Sequence, residues 1–234
     1  MRYRDQIRLS VEPNIESQTI MKIAIIGAGS VGGTLGSRWA KAGHKVAFGV
    51  RHTSDAKVTK LLKDSGANAS ATSIPDAVGS AEVVALTTPW EAAQNALQAA
   101  GNLTGKILID ATNPLIMSPE GLQKGLVIGH TTSAAEQIAG WAKGARVVKA
   151  FNTTGWPNMA NPKYGAQRVS MFICGDDASA KAAVTQLSDE LGFETFDAGT
   201  LAAARYLEPL AMLWIHLAFA QGWGTSFAFK VMKR

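Results

Sequence analysis

Apolar positions along the chain fall into two alternating patterns. Short unbroken apolar runs have strand length, and the longer segments between them carry apolar residues at helical spacing. Lys22–Ile26 is the first run, a helix-compatible segment follows from Val31 to Ala42, and Lys45–Val50 is the second run. A helical stretch near Ala56–Ser65 ends at Gly66. A short extended piece near Asn68–Ala71 and a turn of helix at Pro75–Val78 lead to a strand at Glu82–Thr87. Pro89 opens a helix that reaches about Ala100, since proline at a first-turn position costs no hydrogen bond, and Lys106–Asp110 is the fifth strand. Residues 116–131 read as loop, and Ser133-Ala134-Ala135-Glu136 has the form of a capping box opening a helix to about Ala142. Arg146–Phe151 is a sixth strand, and Asn152 to Gln167 reads as a ligand-side loop. Val169–Cys174, a helix at Ala178–Leu191 and a strand at Glu194–Phe196 make a further βαβ unit. An apolar helical region from Leu201 to Phe219 and a glycine-containing tail close the chain.

Strands alternating with helices predict an α/β fold, a doubly wound (Rossmann) and mostly parallel sheet, with a small C-terminal helical/αβ region for dimerisation. The expected divisions are a loosely held tail over 1–21, a nucleotide-binding Rossmann domain over 22–165, and a smaller αβ/helical region over 166–234. Met21 stands directly before the first strand, so a natural start there is one reading. Leu207–Phe219 carries more apolar surface than one helical stripe normally buries, which predicts a homodimer. The alternative is a core helix packed on the nucleotide domain.

Composition narrows the function classes. Hydrophobic content of 47% and charged content of 18% are those of a globular chain. The net charge of +5 is scattered, with no basic block interleaved with aromatics, so no nucleic-acid partner is expected. The region Leu207–Phe219 is broken by Pro209 and His216 and is too short to span a bilayer, and residues 1–20 have no apolar core, so no membrane association is expected. A single cysteine, Cys174, permits no internal disulfide and suits a reducing compartment.

The chemistry is concentrated after the first strand. Ile26 leads into Gly27-Ala28-Gly29-Ser30-Val31-Gly32, a Gly-x-Gly-x-x-Gly placed between a strand and a helix. Gly27 suits the tight turn, Gly29 lets the backbone approach a pyrophosphate, and Gly32 lets helix and strand pack closely. The free N–H groups and positive end of the helix that follows meet the anion. After the second strand, where NAD enzymes place an acid for the ribose 2′-hydroxyl, stand Arg51 and His52. A guanidinium fork there binds a 2′-phosphate, which favours NADP(H) over NAD(H).

Ligands in such sheets bind beyond the carboxyl ends of the strands. The segments expected there hold Thr88, Pro89, Trp90 and Asn113 beside the cofactor, and Asn152, Thr153, Thr154 and Gly155 as an acceptor pocket. They offer hydroxyls, amides and an indole, but no carboxylate pair, no Ser-His-Asp order and no metal-ligand cluster. Of the four histidines, His44 and His216 read as structural, and only His130 is left open as a site residue. Carbonyl reduction needs a general acid beside the nicotinamide, whereas hydride transfer to a flavin-like ring proceeds by stacking and positioning. No catalytic residue and no metal are expected, and the second chemistry suits this site better.

Several local runs extend the picture: Leu86-Thr87-Thr88-Pro89-Trp90-Glu91, Val147-Val148-Lys149-Ala150-Phe151-Asn152-Thr153, Cys174-Gly175-Asp176-Asp177 and Arg205-Tyr206-Leu207-Glu208-Pro209-Leu210. With the glycine motif and Gly49-Val50-Arg51, they make the chain resemble the F420-dependent NADP oxidoreductases from residue 22 to about 220. The resemblance implies cytoplasmic hydride transfer between NADPH and the deazaflavin F420, cofactor contacts at Gly29, Ser30, Val31, Arg51, Trp90 and Asn113, and a homodimer formed through the C-terminal helical region. Two positions depart from the archaeal pattern: Val50 replaces a serine, and Asn152-Thr153-Thr154-Gly155 replaces His-Thr-Ile-Pro. Lys149-Ala150-Phe151-Asn152-Thr153 is also similar to the reductase domain of membrane ferric reductases. FMN or FAD, or a ferric ion, are therefore alternative acceptors, and a non-catalytic NADP(H) sensor is a third reading.

Overall fold

The architecture follows from strands that are apolar on both faces. In the computed structural model, which describes residues 19–116 and 125–234, β1 (Lys22–Ile26), β4 (Val83–Leu86) and β5 (Ile107–Asp110) are buried along almost their whole length. Such strands need helices on both sides, which is the condition for a parallel sheet. The other strands of this sheet are β2 (Lys45–Gly49), β3 (Ala69–Thr72), β6 (Arg146–Lys149), β9 (Ser170–Gly175) and β10 (Glu194–Asp197). Their order is β10-β9-β6-β5-β4-β1-β2-β3. Neighbours are parallel except β6 and β9, which meet antiparallel at Val148 and Gly175. Between them β7 (Lys163–Tyr164) and β8 (Gln167–Arg168) form a separate small hairpin.

Successive residues of each strand enter opposite cores. On one face Ile23 and Ile25 pack with Trp39, Phe48, Phe151 and Phe193, beneath α1 (Ser30–Lys41) and α7 (Ala178–Glu190). On the other, Ala24 and Ile26 pack with Leu86, Leu97, Leu108 and Ile138. That face is covered by α3 (Ile74–Ser80), α4 (Trp90–Ala100) and α5 (Ala134–Trp141), while α2 (Ala56–Ser65) packs on α1. Trp39 adds a directional tie, since its indole N–H donates to the Leu187 carbonyl at 3.1 Å.

The doubly wound, mostly parallel sheet expected from the sequence is present, and the C-terminal region is helical, with α8 over Ala204–Ile215. The sheet is continuous across residue 165, because β9 and β10 extend it. Two expectations change. The stretch from Asn152 to Gln167 is not plain loop: Pro157 in the first turn starts the short α6 (Trp156–Ala160), and the small hairpin follows. Met21, placed with the tail, is 92% buried in the core, its N–H donating to His44 Nδ1 at 3.0 Å. The tail reading over residues 1–18 and the middle of the 116–131 loop lie outside the described residues.

His44 shows why that histidine is structural. Its Nδ1 accepts from Met21, so the proton sits on Nε2, 2.6 Å from the Glu190 carboxylate. Ser133 caps α5 as predicted, accepting from Glu136 N–H at 3.2 Å, and Arg205 grips the Glu136 carboxylate at 2.6 and 2.9 Å.

Candidate cofactor-binding site

Strand order reverses between β1 and β4, so the chain opens a crevice where their carboxyl ends diverge. Gly27 leaves β1 with φ +102°, and a side chain there would press on the Thr87–Thr88 backbone at 3.0 Å. At Gly32 a Cβ would lie 2.1 Å from the Gly27 carbonyl, which is why α1 can sit directly on the turn. Gly29 is the N-cap of α1 and supplies no side-chain acceptor, so the first-turn N–H groups are uncapped. A Cβ at Gly29 would meet nothing within 4 Å. An uncapped helix start facing open space at this position has the form of an anion site.

The crevice holds about 370 Å³ and is lined by Gly29, Ser30, Val31, Thr88, Pro89, Trp90, Thr112 and Asn113, among others. The structure therefore brings together seven predicted cofactor residues, with Gly27 and Gly32 in the turn that forms its base. Arg51 and His52 follow β2 at exposed positions, on the β2 side of the crevice and outside its lining. Thr87 locks the turn from the β4 side, its hydroxyl reaching the Ile26 and Gly27 carbonyls at 3.0 and 2.7 Å. Thr88 Oγ1 is buried with no partner. A buried hydroxyl without a hydrogen bond is costly, so it is a donor awaiting an acceptor. Trp90 begins α4 and stacks on Trp141 with centroids 5.2 Å apart and planes at 26°, which fixes its indole beside the crevice. The uncapped helix, the glycine turn and the orphan hydroxyl all fit a pyrophosphate-bearing ligand.

The segment predicted as acceptor pocket adjoins the crevice without lining it. Phe151 takes a left-handed conformation, φ 62°, that turns the chain out of β6. Asn152 then meets Asn113. The Asn152 amide donates to Asn113 Oδ1 at 3.0 Å and the Leu207 carbonyl at 3.1 Å, while Asn113 donates back to the Asn152 carbonyl at 2.9 Å. Both donors of Asn152 are thus used, and its Oδ1 is buried and unpartnered. Thr153 and Thr154 are buried, with Thr154 Oγ1 accepting from Asn158 at 2.8 Å. Gly155, the last residue of the expected acceptor pocket, packs against a ring of the protein itself. The planar ring against it is Trp214, whose Cη2 would be 2.5 Å from a Cβ there. Trp214 is held in turn by stacking on Phe227, centroids 5.3 Å apart, and by donating to the Phe227 carbonyl at 3.0 Å. His130 is not among the residues that line the crevice.

The sequence reading also missed a carboxylate pair behind the crevice wall. Lys149, fully buried on β6, lies 2.8 Å from Asp110 at the end of β5 and 2.9 Å from Glu208 on α8. It also donates to the Thr112 carbonyl at 2.6 Å. Asp110 accepts from the Thr112 N–H and hydroxyl at 2.9 and 2.8 Å. Glu208 accepts from the Ala134 and Ala135 N–H groups, in the first turn of α5, at 3.0 and 3.2 Å. Burial pulls the Lys149 pKa down, but the two carboxylates outweigh it and hold the group above the ordinary lysine range. The available signal was a lysine inside the apolar run Val147-Val148-Lys149-Ala150, because an unpaired lysine is almost never fully buried. Among the described residues no histidine, cysteine and carboxylate group could hold a metal ion.

Comparison with known proteins agrees with this geometry. The family model described as NADP oxidoreductase, coenzyme F420-dependent, matches residues 22–114. The F420-dependent NADP reductase of Methanothermobacter thermautotrophicus is 30% identical over 208 residues, covering 85% of this chain and 89% of that protein. The chain belongs to the F420-dependent NADP oxidoreductase family. Membership places it among NADP-dependent oxidoreductases, as the glycine turn and Arg51 suggested. A crystal structure described as an F420-dependent NADP-reductase from Arthrobacter sp. FB24 superposes with a TM-score of 0.82 at 35% identity, covering 91% of this chain and all of the other. The rat Metalloreductase STEAP3 is 35% identical over 195 residues. That match takes in 82% of this chain but only 37% of the rat protein, so the family member described here spans little more than a third of that relative's length.

Proposed function

We propose that the chain binds NADP(H) across the crevice and passes hydride to a flavin-like acceptor, with the deazaflavin F420 as first choice. The observation that carries this reading is the uncapped start of α1 above a glycine turn too tight for any side chain, facing a crevice beside Arg51. In this reading the α1 N–H groups and Ser30 hold the pyrophosphate. Arg51, with His52 beside it, takes the 2′-phosphate. Thr88 donates its free hydroxyl, and Val31, Pro89, Trp90 and Asn113 shape the nicotinamide end. When bound, NADPH supplies the hydride. The chain supplies orientation and exclusion of water, because among the described residues no histidine, lysine or tyrosine lines the crevice to act as a general acid. Asn152, Thr153, Thr154 and Gly155 form the wall behind Asn113 on which the acceptor side is built.

The likeness to a metalloreductase favours a second reading, an NADPH-dependent flavin or ferric reductase, and a chain that transfers no hydride would be an NADP(H) sensor. No helix among the described residues is long and apolar enough to cross a membrane. We place the activity in the cytoplasm and the protein in a homodimer formed through α8 and the residues that follow it. Anaerobic incubation with NADPH and F420, FMN or a ferric chelate, followed at 340 nm, separates these readings. Oxidation with F420 alone is the expected result. Turnover only with FMN or ferric ion selects the second reading, and no oxidation with any acceptor contradicts hydride transfer.

A further inference from the structure

The Lys149 cluster is more than a structural plug. One ammonium faces two carboxylates, and the Thr112 N–H and hydroxyl and the Ala134 and Ala135 N–H groups all donate to carboxylate oxygens. Counted at formal charge, two carboxylates and one ammonium leave one net negative charge inside the protein. Cys174 is packed close by and adds none, since burial pushes its thiol up to about 12. The cluster touches the crevice through one residue. Lys149 and Asp110 both bond to Thr112, and Thr112 lines the crevice next to Asn113. In a doubly wound sheet the half after β4 serves the nicotinamide mononucleotide, and Thr112 follows β5. Glu91, the other acid at the crevice, is exposed on the first turn of α4, where solvent screens it.

Oxidised nicotinamide carries a positive ring and reduced nicotinamide a neutral one. A buried negative charge behind the ring therefore acts on the two forms differently. We propose that the Asp110–Lys149–Glu208 cluster stabilises bound NADP⁺ relative to bound NADPH, and so makes the bound reduced cofactor a stronger hydride donor. The inference rests on the proposed binding of NADP(H) in this crevice. Asp110 and Glu208 act through space and through the Thr112 wall; they are positioning residues and touch no ligand.

The test is the ratio of dissociation constants, Kd(NADP⁺)/Kd(NADPH), measured by calorimetry on the wild-type protein, Glu208→Gln and Asp110→Asn. Each variant removes the net charge while keeping side-chain size. The ratio should rise about three- to tenfold in both, the scale of one charge acting across a partly buried separation. Merely structural damage would move both constants together and leave the ratio where it was. If one variant does not fold, the other still gives the answer. A ratio unchanged in the folded variants, with both cofactors still bound, overturns the inference alone. Wild-type protein that binds neither cofactor overturns the inference and the proposed function together.

Discussion

Replacing Lys149 with methionine puts the buried cluster to a direct stability test. The side chain is fully buried and joins β6 to β5, to α8 and to the crevice wall through contacts of 2.6–2.9 Å. Methionine keeps the length and removes the charge, which leaves Asp110 and Glu208 facing each other without a cation. Removing one partner of a buried ion pair costs about 3–5 kcal/mol. For a chain of this size each kcal/mol lowers Tm by about 2–4 °C, so a fall of about 6–20 °C is expected. The pH dependence has a definite sign. The Lys149 pKa is raised by folding, so its contribution is complete below the ordinary lysine value of about 10.4 and disappears as pH rises through the higher folded value. The gap between wild type and Lys149→Met should be constant from neutral to mildly alkaline pH and narrow above that. Urea unfolding followed by circular dichroism at several pH values measures it. A difference below about 1 kcal/mol at neutral pH, or a gap that widens at high pH, would refute the reasoning.

Three further outcomes are expected. Gly32→Ala drives a methyl into the Gly27 carbonyl at 2.1 Å and should lower stability by about 1–3 kcal/mol or more and weaken NADPH binding severalfold; an unchanged Tm and dissociation constant would contradict the packing described. Gly155→Ala should displace Trp214 and loosen its stack on Phe227, lowering Tm by a few degrees, and an unchanged Tm would contradict the packing described. Tyr206, Leu213, Phe219 and Trp223 are exposed on and after α8, so light scattering should give twice the 24.7 kDa chain mass, and a lone monomer at micromolar concentration would rule out the dimer.

Much of the fold was legible because its signals are local. Strand-length apolar runs, Ser133 and Glu136 at cap spacing, and glycines at Gly27 and Gly32 each specify their structure from a few neighbouring residues. The nucleotide end of the crevice was legible for the same reason. What could not be read were contacts between distant parts of the chain. Asp110, Lys149 and Glu208 are separated by tens of residues, and nothing in any one segment says that three strand-end and helix residues will converge. Trp214 is the same case. The ring packed against Gly155 belongs to Trp214 on α8, nearly sixty residues further along the chain. The run from Asn152 to Gln167 was rich in turn formers, which hid a five-residue helix and a hairpin of two-residue strands too short to show a period.

The account depends most on Arg51, the basic residue standing where an acid would select NAD(H). Titrating wild-type protein and Arg51→Ala with NADPH and with NADH, by calorimetry at fixed ionic strength, tests it directly. A charge-assisted hydrogen bond contributes about 1.5–3 kcal/mol, so wild type should bind NADPH roughly ten- to a hundredfold more tightly than NADH. Arg51→Ala should lose that advantage while its NADH affinity stays nearly unchanged. Equal wild-type affinities, or equal losses for both cofactors in the variant, would contradict the account.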